Sequence, residues 1–438
     1  MKGRLPLASL LALALAAHAF AQPTAKPFVG GGKDPRPPKE LPESLQKKPE
    51  KSQPLAVRMM IHQVPNGMFI ALPIVDTDPN KGTTYGVMPI YVVQPASRRI
   101  EHILAPSLTF NPTFKTEATM RYYWYPNDKA NYFVRAALSG NQNQDVIGEM
   151  EDLDFLGRGL ALSARLAFDV DGSKRFFGVG PDTHESQETN FTRKTIGYFC
   201  RLGIPIFEES DWKFNFAHYM AGERIAPGVF DTLPSIETRF PAFSPTHFHQ
   251  DSRFQLFVDF DTRDSAVTTS KGSYLKFLIE NAQKELGSEF VFQRYGIDLR
   301  RFQPWENRRF GTTAARFKYE QLLGKAPFYL LSTLGGKETL RAYGEGRYID
   351  RGMGVATVEQ RLTVYDATVT GVTVELEVAP FFGVGTVFST PGRVASRYLR
   401  PAYGVALRAV ARPQVVGSID LGFGQEGPSV FMDINYSF

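Results

Sequence analysis

The chain has 438 residues, 43% hydrophobic, 22% charged and 13% aromatic, with 38 Gly, 30 Pro and one Cys. Past the N-terminus no apolar run reaches the roughly 18 residues of a helical membrane span. One Cys excludes an internal disulfide and a multi-Cys zinc site, and the apolar content excludes a disordered chain. The net charge of +5 lies in the first 55 residues, so the neutral remainder offers no electrostatic basis for binding nucleic acid.

In chain order, Lys2 and Arg4 precede an apolar stretch from Leu5 to Ala17, and Ala19-Phe20-Ala21 supplies small residues at the positions a signal peptidase reads. This predicts a signal peptide over 1–21, and hence export. Residues 22–60 form a Pro-rich, basic periplasmic linker with a Gly30-Gly31-Gly32 run, a composition that predicts an extended tether. It carries basic residues such as Lys26, Lys47 and Lys48 and accounts for most of the net charge.

From about residue 61 to 438 the pattern has period two. Phe254, Leu256, Val258 and Phe260 alternate with Gln255, Asp259 and Asp261; Val372, Val374, Leu376 and Val378 alternate with Thr373, Glu375 and Glu377; Met432, Ile434, Tyr436 and Phe438 alternate with Asp433, Asn435 and Ser437. Such strands have one apolar and one polar face. A soluble sandwich turns the apolar face inward, and a membrane barrel turns it toward lipid. Strands of 10 to 14 residues, an export signal and a terminal aromatic favour the barrel.

Sixteen strands are predicted, near 84–94, 101–111, 115–125, 130–139, 158–170, 188–202, 210–223, 251–261, 271–282, 289–302, 309–324, 352–365, 371–387, 401–411, 415–424 and 428–438. Residues 68–76 also read as a strand, without a place in that count. Residues 140–157 are long and acidic for a turn. The expected fold class is all-β, a transmembrane antiparallel β-barrel of about 16 strands, an even number as bacterial barrels require.

Special turns carry a family resemblance. Asp261-Thr262-Arg263-Asp264 follows a strand and Gly272 opens the next; Gly335-Gly336, then Leu340-Arg341-Ala342-Tyr343, precede Glu359; Phe176-Phe177-Gly178-Val179-Gly180 lies earlier. In this order they resemble the Omp85 superfamily, also called the bacterial surface antigen (D15) family, over roughly residues 66–438. The resemblance implies a sixteen-stranded barrel of the Gram-negative outer membrane whose extracellular loop six, holding Arg341, folds into the lumen. Arg341 would pair there with a wall acid: Glu375, Glu377, Glu359 or Asp420, in that order of expectation. Ala342 stands where the family usually has Gly, and Gly383 where it tends to have Asp. Insertases and two-partner secretion transporters of the family carry POTRA domains of about 75 residues, which the tail is too short to hold, so the resemblance is to the POTRA-less branch.

Asp261, Arg263, Asp264 and Gly272 are expected to fix a periplasmic turn, and Phe438 to belong to the signal read by the barrel-assembly machinery. His247-Phe248-His249 puts two imidazoles on one side of an extended chain, with no third ligand nearby in sequence, so no metal site is assigned. Asp182-Thr183-His184-Glu185-Ser186 lies in a loop, no Ser–His pair shares a strand face, and Gly178-Val179-Gly180 lacks a nucleotide-loop context. No catalytic residue or cofactor is expected. Two functions stand open: translocation or assembly of protein or lipid at the outer membrane, with lipid and a periplasmic partner chain as partners, or a passive pore or structural surface protein plugged by loop six.

Overall fold

The computed structural model describes residues 61–93, 100–127, 129–207, 210–243, 247–265, 268–306, 310–369, 372–411, 415–434 and 436–438. Residues 1–60, where a signal peptide and a linker are expected, lie outside the described residues. β1 (Ile61–Val64) forms a hairpin with β2 (Gly67–Asp78), and β3 (Gly82–Val93) follows. β4 (His102–Leu104) and β5 (Ser107–Asn111) both pair with β3 and with β6 (Lys115–Trp124), so they are two halves of one interrupted span. Next come β7 (Ala130–Ser139), β8 (Asn143–Phe155), β9 (Leu160–Phe176), β10 (Thr189–Pro205), β11 (Trp212–Pro227), β12 (His249–Asp261), β13 (Gly272–Ala282), β14 (Val291–Pro304) and β15 (Thr312–Lys325), each antiparallel to its predecessor. β16 (Ser332–Leu334) and β17 (Tyr348–Asp350) make a small separate sheet inside the following loop. β18 (Gly352–Val369) resumes pairing with β15, and β19 (Val372–Phe388), β20 (Arg400–Ala411), β21 (Val415–Gly424) and β22 (Gly427–Ile434) complete the series.

The result is one antiparallel sheet of twenty strands. With β4 and β5 merged and the four-residue β1 set aside, it has eighteen spans among the described residues. β22 lies along β2 and closes the barrel, although no ladder joins these two strands among the described residues. No described helix is long and apolar enough to cross a membrane.

Each of the sixteen expected strands has a counterpart. The two added spans are β2 and β8. β8 escaped notice because only Val146 and Met150 are apolar along its outer face, while Asp145, Glu149 and Glu151 point inward to Arg135 at 3.0 Å, Arg165 at 3.3 Å and Arg201 at 3.1 Å. Without β8, β7 and β9 would run in the same direction, which a simple hairpin connection forbids. Both added spans precede the large loop, which therefore follows the thirteenth span and is the seventh connection at its end of the barrel; loop six remains its family label.

The two faces separate as a membrane barrel requires. Leu256, Ile279, Phe317, Phe382, Tyr403 and Val430 are exposed on the outside, and Asp259, Asp298, Glu359, Arg361 and Arg408 are buried inside. A water-soluble sandwich would reverse this, because exposed apolar bands of that extent demand lipid.

One expectation fails at the C-terminus. The strand read over 428–438 ends at Ile434, and the alternation does not continue through Tyr436 and Phe438 on the outer face. Both side chains are buried inside. The Tyr436 hydroxyl donates to both oxygens of Glu377, at 3.0 and 2.9 Å, and Phe438 packs with Phe302 and Ala314. A phenol finds an acceptor in the lumen that lipid cannot supply.

Candidate functional site: a loop seated in a charged lumen

Residues 326–351, between β15 and β18, turn into the barrel as the β16–β17 hairpin. Its tip needs two glycines: Gly335 and Gly336 have φ of 117° and 85°, and a Cβ on Gly335 would lie 2.2 Å from the Gly344 carbonyl oxygen. Thr339 closes the turn by donating to the Gly335 carbonyl at 2.7 Å, and the Gly336 amide donates to Tyr343 at 2.7 Å. Ala342 does not have a positive φ, so a Cβ is tolerated there. The Tyr343 hydroxyl donates to the Pro401 carbonyl at 3.1 Å and accepts from the Gln425 amide at 3.1 Å.

The tip delivers Arg341 to the wall. Its guanidinium is 2% exposed, lies 3.8 Å above the Phe381 ring, and donates to Asp420 at 2.7 Å and Glu359 at 2.9 Å. The two acids placed first in sequence sit elsewhere: Glu377 takes the Tyr436 hydroxyl, and Glu375 lies opposite Asp366, toward the other end of β19. All four share the inward parity, so depth along the strand decides. Glu359 is level with Phe381 and Asp420 with Ala406, which is itself level with Ala379. The loop reaches that depth, and Glu375 is several residues deeper.

Two arginines that sequence reasoning missed complete the cluster. Arg408 forks both oxygens of Glu359 at 3.0 Å each, and Arg361 Nε donates to Glu359 Oε1 at 2.7 Å. Glu359 thus accepts four charge-assisted hydrogen bonds, the full capacity of a carboxylate. Arg361 also donates to the Thr269 carbonyl at 2.8 Å and the Phe438 carbonyl at 3.2 Å, with Tyr436 stacked 3.5 Å from it. One side chain therefore links three sequence features: the turn after Asp261, the loop arginine's acid and the terminal aromatic. The spacing of Arg361 two residues beyond Glu359, on the same strand face, was the available signal.

The turn at 262–271 is tied internally. Arg263 donates to Asp261 from Nε and Nη2, both at 2.9 Å, and stacks 4.7 Å from Tyr274. Asp264 accepts from the Ser270 amide at 2.9 Å and the Lys271 amide at 3.2 Å; burial opposes its ionisation, but Ser270 and Lys271 hold the carboxyl below its usual range. Gly272, at φ 107°, passes where a Cβ would lie 2.3 Å from the Thr262 oxygen.

The loop also grips the rim. Arg347 donates to Glu426 at 2.8 Å and to Thr183 at 2.9 Å, and Asn80, in the β2–β3 turn, donates to the Glu345 carbonyl at 2.9 Å. Phe328, Leu330 and Ile349 pack with Phe176, Phe191 and Phe292 into an apolar cap at this end.

An antiparallel barrel with lipid-facing apolar residues, a charged lumen and an inserted loop pinned by arginine defines an integral outer-membrane β-barrel protein with an internal plug. The Omp85 superfamily domain matches residues 128–425, and the chain belongs to that superfamily. No curated protein matches the sequence. Among solved structures it is similar to BamA from Haemophilus ducreyi lacking POTRA domains 1–3, at 12% identity over 83% of this chain and 75% of that one, with a TM-score of 0.53. It also matches CdiB from Acinetobacter baumannii at 11% identity, over 86% of this chain and 60% of that one, with a TM-score of 0.39. The likeness to BamA is one of fold. It fits the Gram-negative outer membrane.

Proposed function

We propose that this chain moves protein or lipid into or across the outer membrane through the seam between β2 and β22, with loop six as its brace. One observation carries this reading: the loop grips both sides of the seam at once. Asn80 beside β2 holds Glu345, while Glu426 beside β22 holds Arg347 and Ser429 in β22 donates to the Ala342 carbonyl at 3.1 Å. Pro73 in β2 and Pro428 in β22 each lack a backbone donor, which suits edges that pair incompletely. In this reading residues 1–21 direct export, residues 22–60 are a basic periplasmic tether, and a periplasmic partner chain presents the substrate. The chain acts without chemical catalysis or a cofactor, and its anchor set is Arg341, Tyr343, Gly335 and Gly336 against Glu359 and Asp420.

The apolar cap favours a second reading, a passive pore or structural surface protein with loop six as a permanent plug. Planar-bilayer recording separates the two. A working seam gives openings of variable amplitude that a cysteine cross-link between β2 and β22 abolishes. One steady level, indifferent to the cross-link, would reject the seam.

Phe438 is read here as part of the signal for the barrel-assembly machinery, recognised before its side chain is buried. Deleting it should lower the amount inserted, while inserted molecules keep native gel mobility. Unchanged insertion kinetics would refute that role.

A further inference from the structure

The His247-Phe248-His249 segment has no part in loop docking, yet it closes into a cluster of three ligands. His249 opens β12 at the same end of the barrel as the β15–β18 loop, and the rings of His247 and His249 lie 4.2 Å apart. The third group comes from another loop. The β13–β14 connection brings Glu289 to His249, with Oε2 2.9 Å from Nδ1. Ligand atoms of His247, His249 and Glu289 all fall within 4.8 Å of one another. Neighbouring ligand atoms around a tetrahedral zinc are about 3.3 Å apart, so small side-chain rotations would bring these into range.

The cluster is braced by backbone. Glu289 Oε1 accepts from the Gln250 amide at 2.8 Å, the Glu289 amide donates to the Gln250 carbonyl at 2.8 Å, and Gln250 Nε2 donates to the Gly287 carbonyl at 2.7 Å. The loop bearing the carboxylate is thus fastened to the strand bearing the imidazole. Phe290 flanks His249 with ring centroids 5.8 Å apart, and His247 and Glu289 are exposed, so an ion has an open approach. Among the described residues His247 has no hydrogen-bond partner, so ligation would break none there.

We infer that His247, His249 and Glu289 bind a divalent transition-metal ion of the zinc class on the extracellular face, with a fourth position left to water. Two imidazoles and one carboxylate suit zinc, whereas calcium and magnesium require oxygen donors. A bound ion would staple the β11–β12 loop to the β13–β14 loop.

The test uses the untagged full chain in detergent micelles, stripped by a chelator and titrated with zinc chloride against a competing fluorescent indicator. One zinc per chain is expected, with H247A, H249Q and E289Q each weakening binding at least about tenfold, and H184A, on a different loop, leaving it unchanged. Zinc should also slow trypsin cleavage at Arg239 and Lys284 in the unaltered chain and not in E289Q. Heat-dependent gel mobility identifies the variants that have folded, and only those are scored. Equal affinity in folded E289Q or H247A, or no zinc uptake by the unaltered chain up to about 1 mM, would overturn the site.

Discussion

Glu359→Gln should release loop six more completely than any change to the loop arginine itself. Glu359 meets Arg341, Arg361 and Arg408 and accepts four hydrogen bonds. Glutamine keeps the shape but turns one acceptor oxygen into a donor that faces guanidinium N–H groups, and it takes from Arg361 and Arg408 the carboxylate that each pairs with, while Arg341 keeps Asp420. Breaking a buried ion pair from one side costs about 3–5 kcal/mol, because the surviving charge stays desolvated. Arg341→Ala should cost less, since Glu359 retains two arginines and Asp420 retains Ser418 and Ser437. Arg341→Lys should recover only part, because an ammonium lacks the fork that spans two carboxylates. The measurements are urea midpoints of the heat-modifiable band and cleavage of the loop by added protease. A Glu359→Gln protein with unaltered midpoint and protease resistance would show that the cluster does not hold the loop. Combining Glu359→Gln with Arg341→Ala removes one of the three buried cations, and a smaller loss than the two singles added together would measure their coupling.

Period-two alternation made most of the barrel legible, because lipid and lumen impose opposite preferences on successive residues. It failed where one face carried mixed signals. β8 has Gln144 and Gly148 on its outer face beside Val146 and Met150, so it read as a loop. Alternation also gives the facing of a side chain but not its depth. It put Glu375, Glu377 and Glu359 on the correct side of the wall and could not say which one the loop would meet. Tyr436 and Phe438 looked like a continuing lipid face, since nothing local distinguishes a strand from a segment about to turn inward toward Glu377 and Arg361. Glu289 was out of reach for a similar reason. It lies 40 residues from His249, and only the pairing of neighbouring spans brings their loops together.

Gly422→Ala should unseat the loop with a single methyl group. Gly422 lies in β21, two residues from Asp420, and the loop backbone rests directly on it. An added Cβ would fall 1.6 Å from the Arg341 carbonyl oxygen and 2.7 Å from its carbonyl carbon. Those are backbone atoms on both sides, so no rotamer change relieves the overlap, and the tip must lift by well over an ångström. Such a lift breaks the 2.7 Å contact of Arg341 with Asp420 and the 3.1 Å contact of Ser429 with Ala342. Overpacking alone costs about 1–3 kcal/mol; here the lost ion pair adds to it, and the total should approach that of Glu359→Gln. The strand itself should survive, because alanine is tolerated in its extended backbone. The expected result is a folded, heat-modifiable barrel whose loop is cut quickly by external protease and whose conductance rises or flickers. Gly148→Ala in β8 is the matched control, since a Cβ there meets nothing within 4 Å and should change neither readout. Protease resistance and conductance equal to the unaltered protein in Gly422→Ala would mean that the loop does not rest on β21 in the membrane, and the brace across the seam would fall with it.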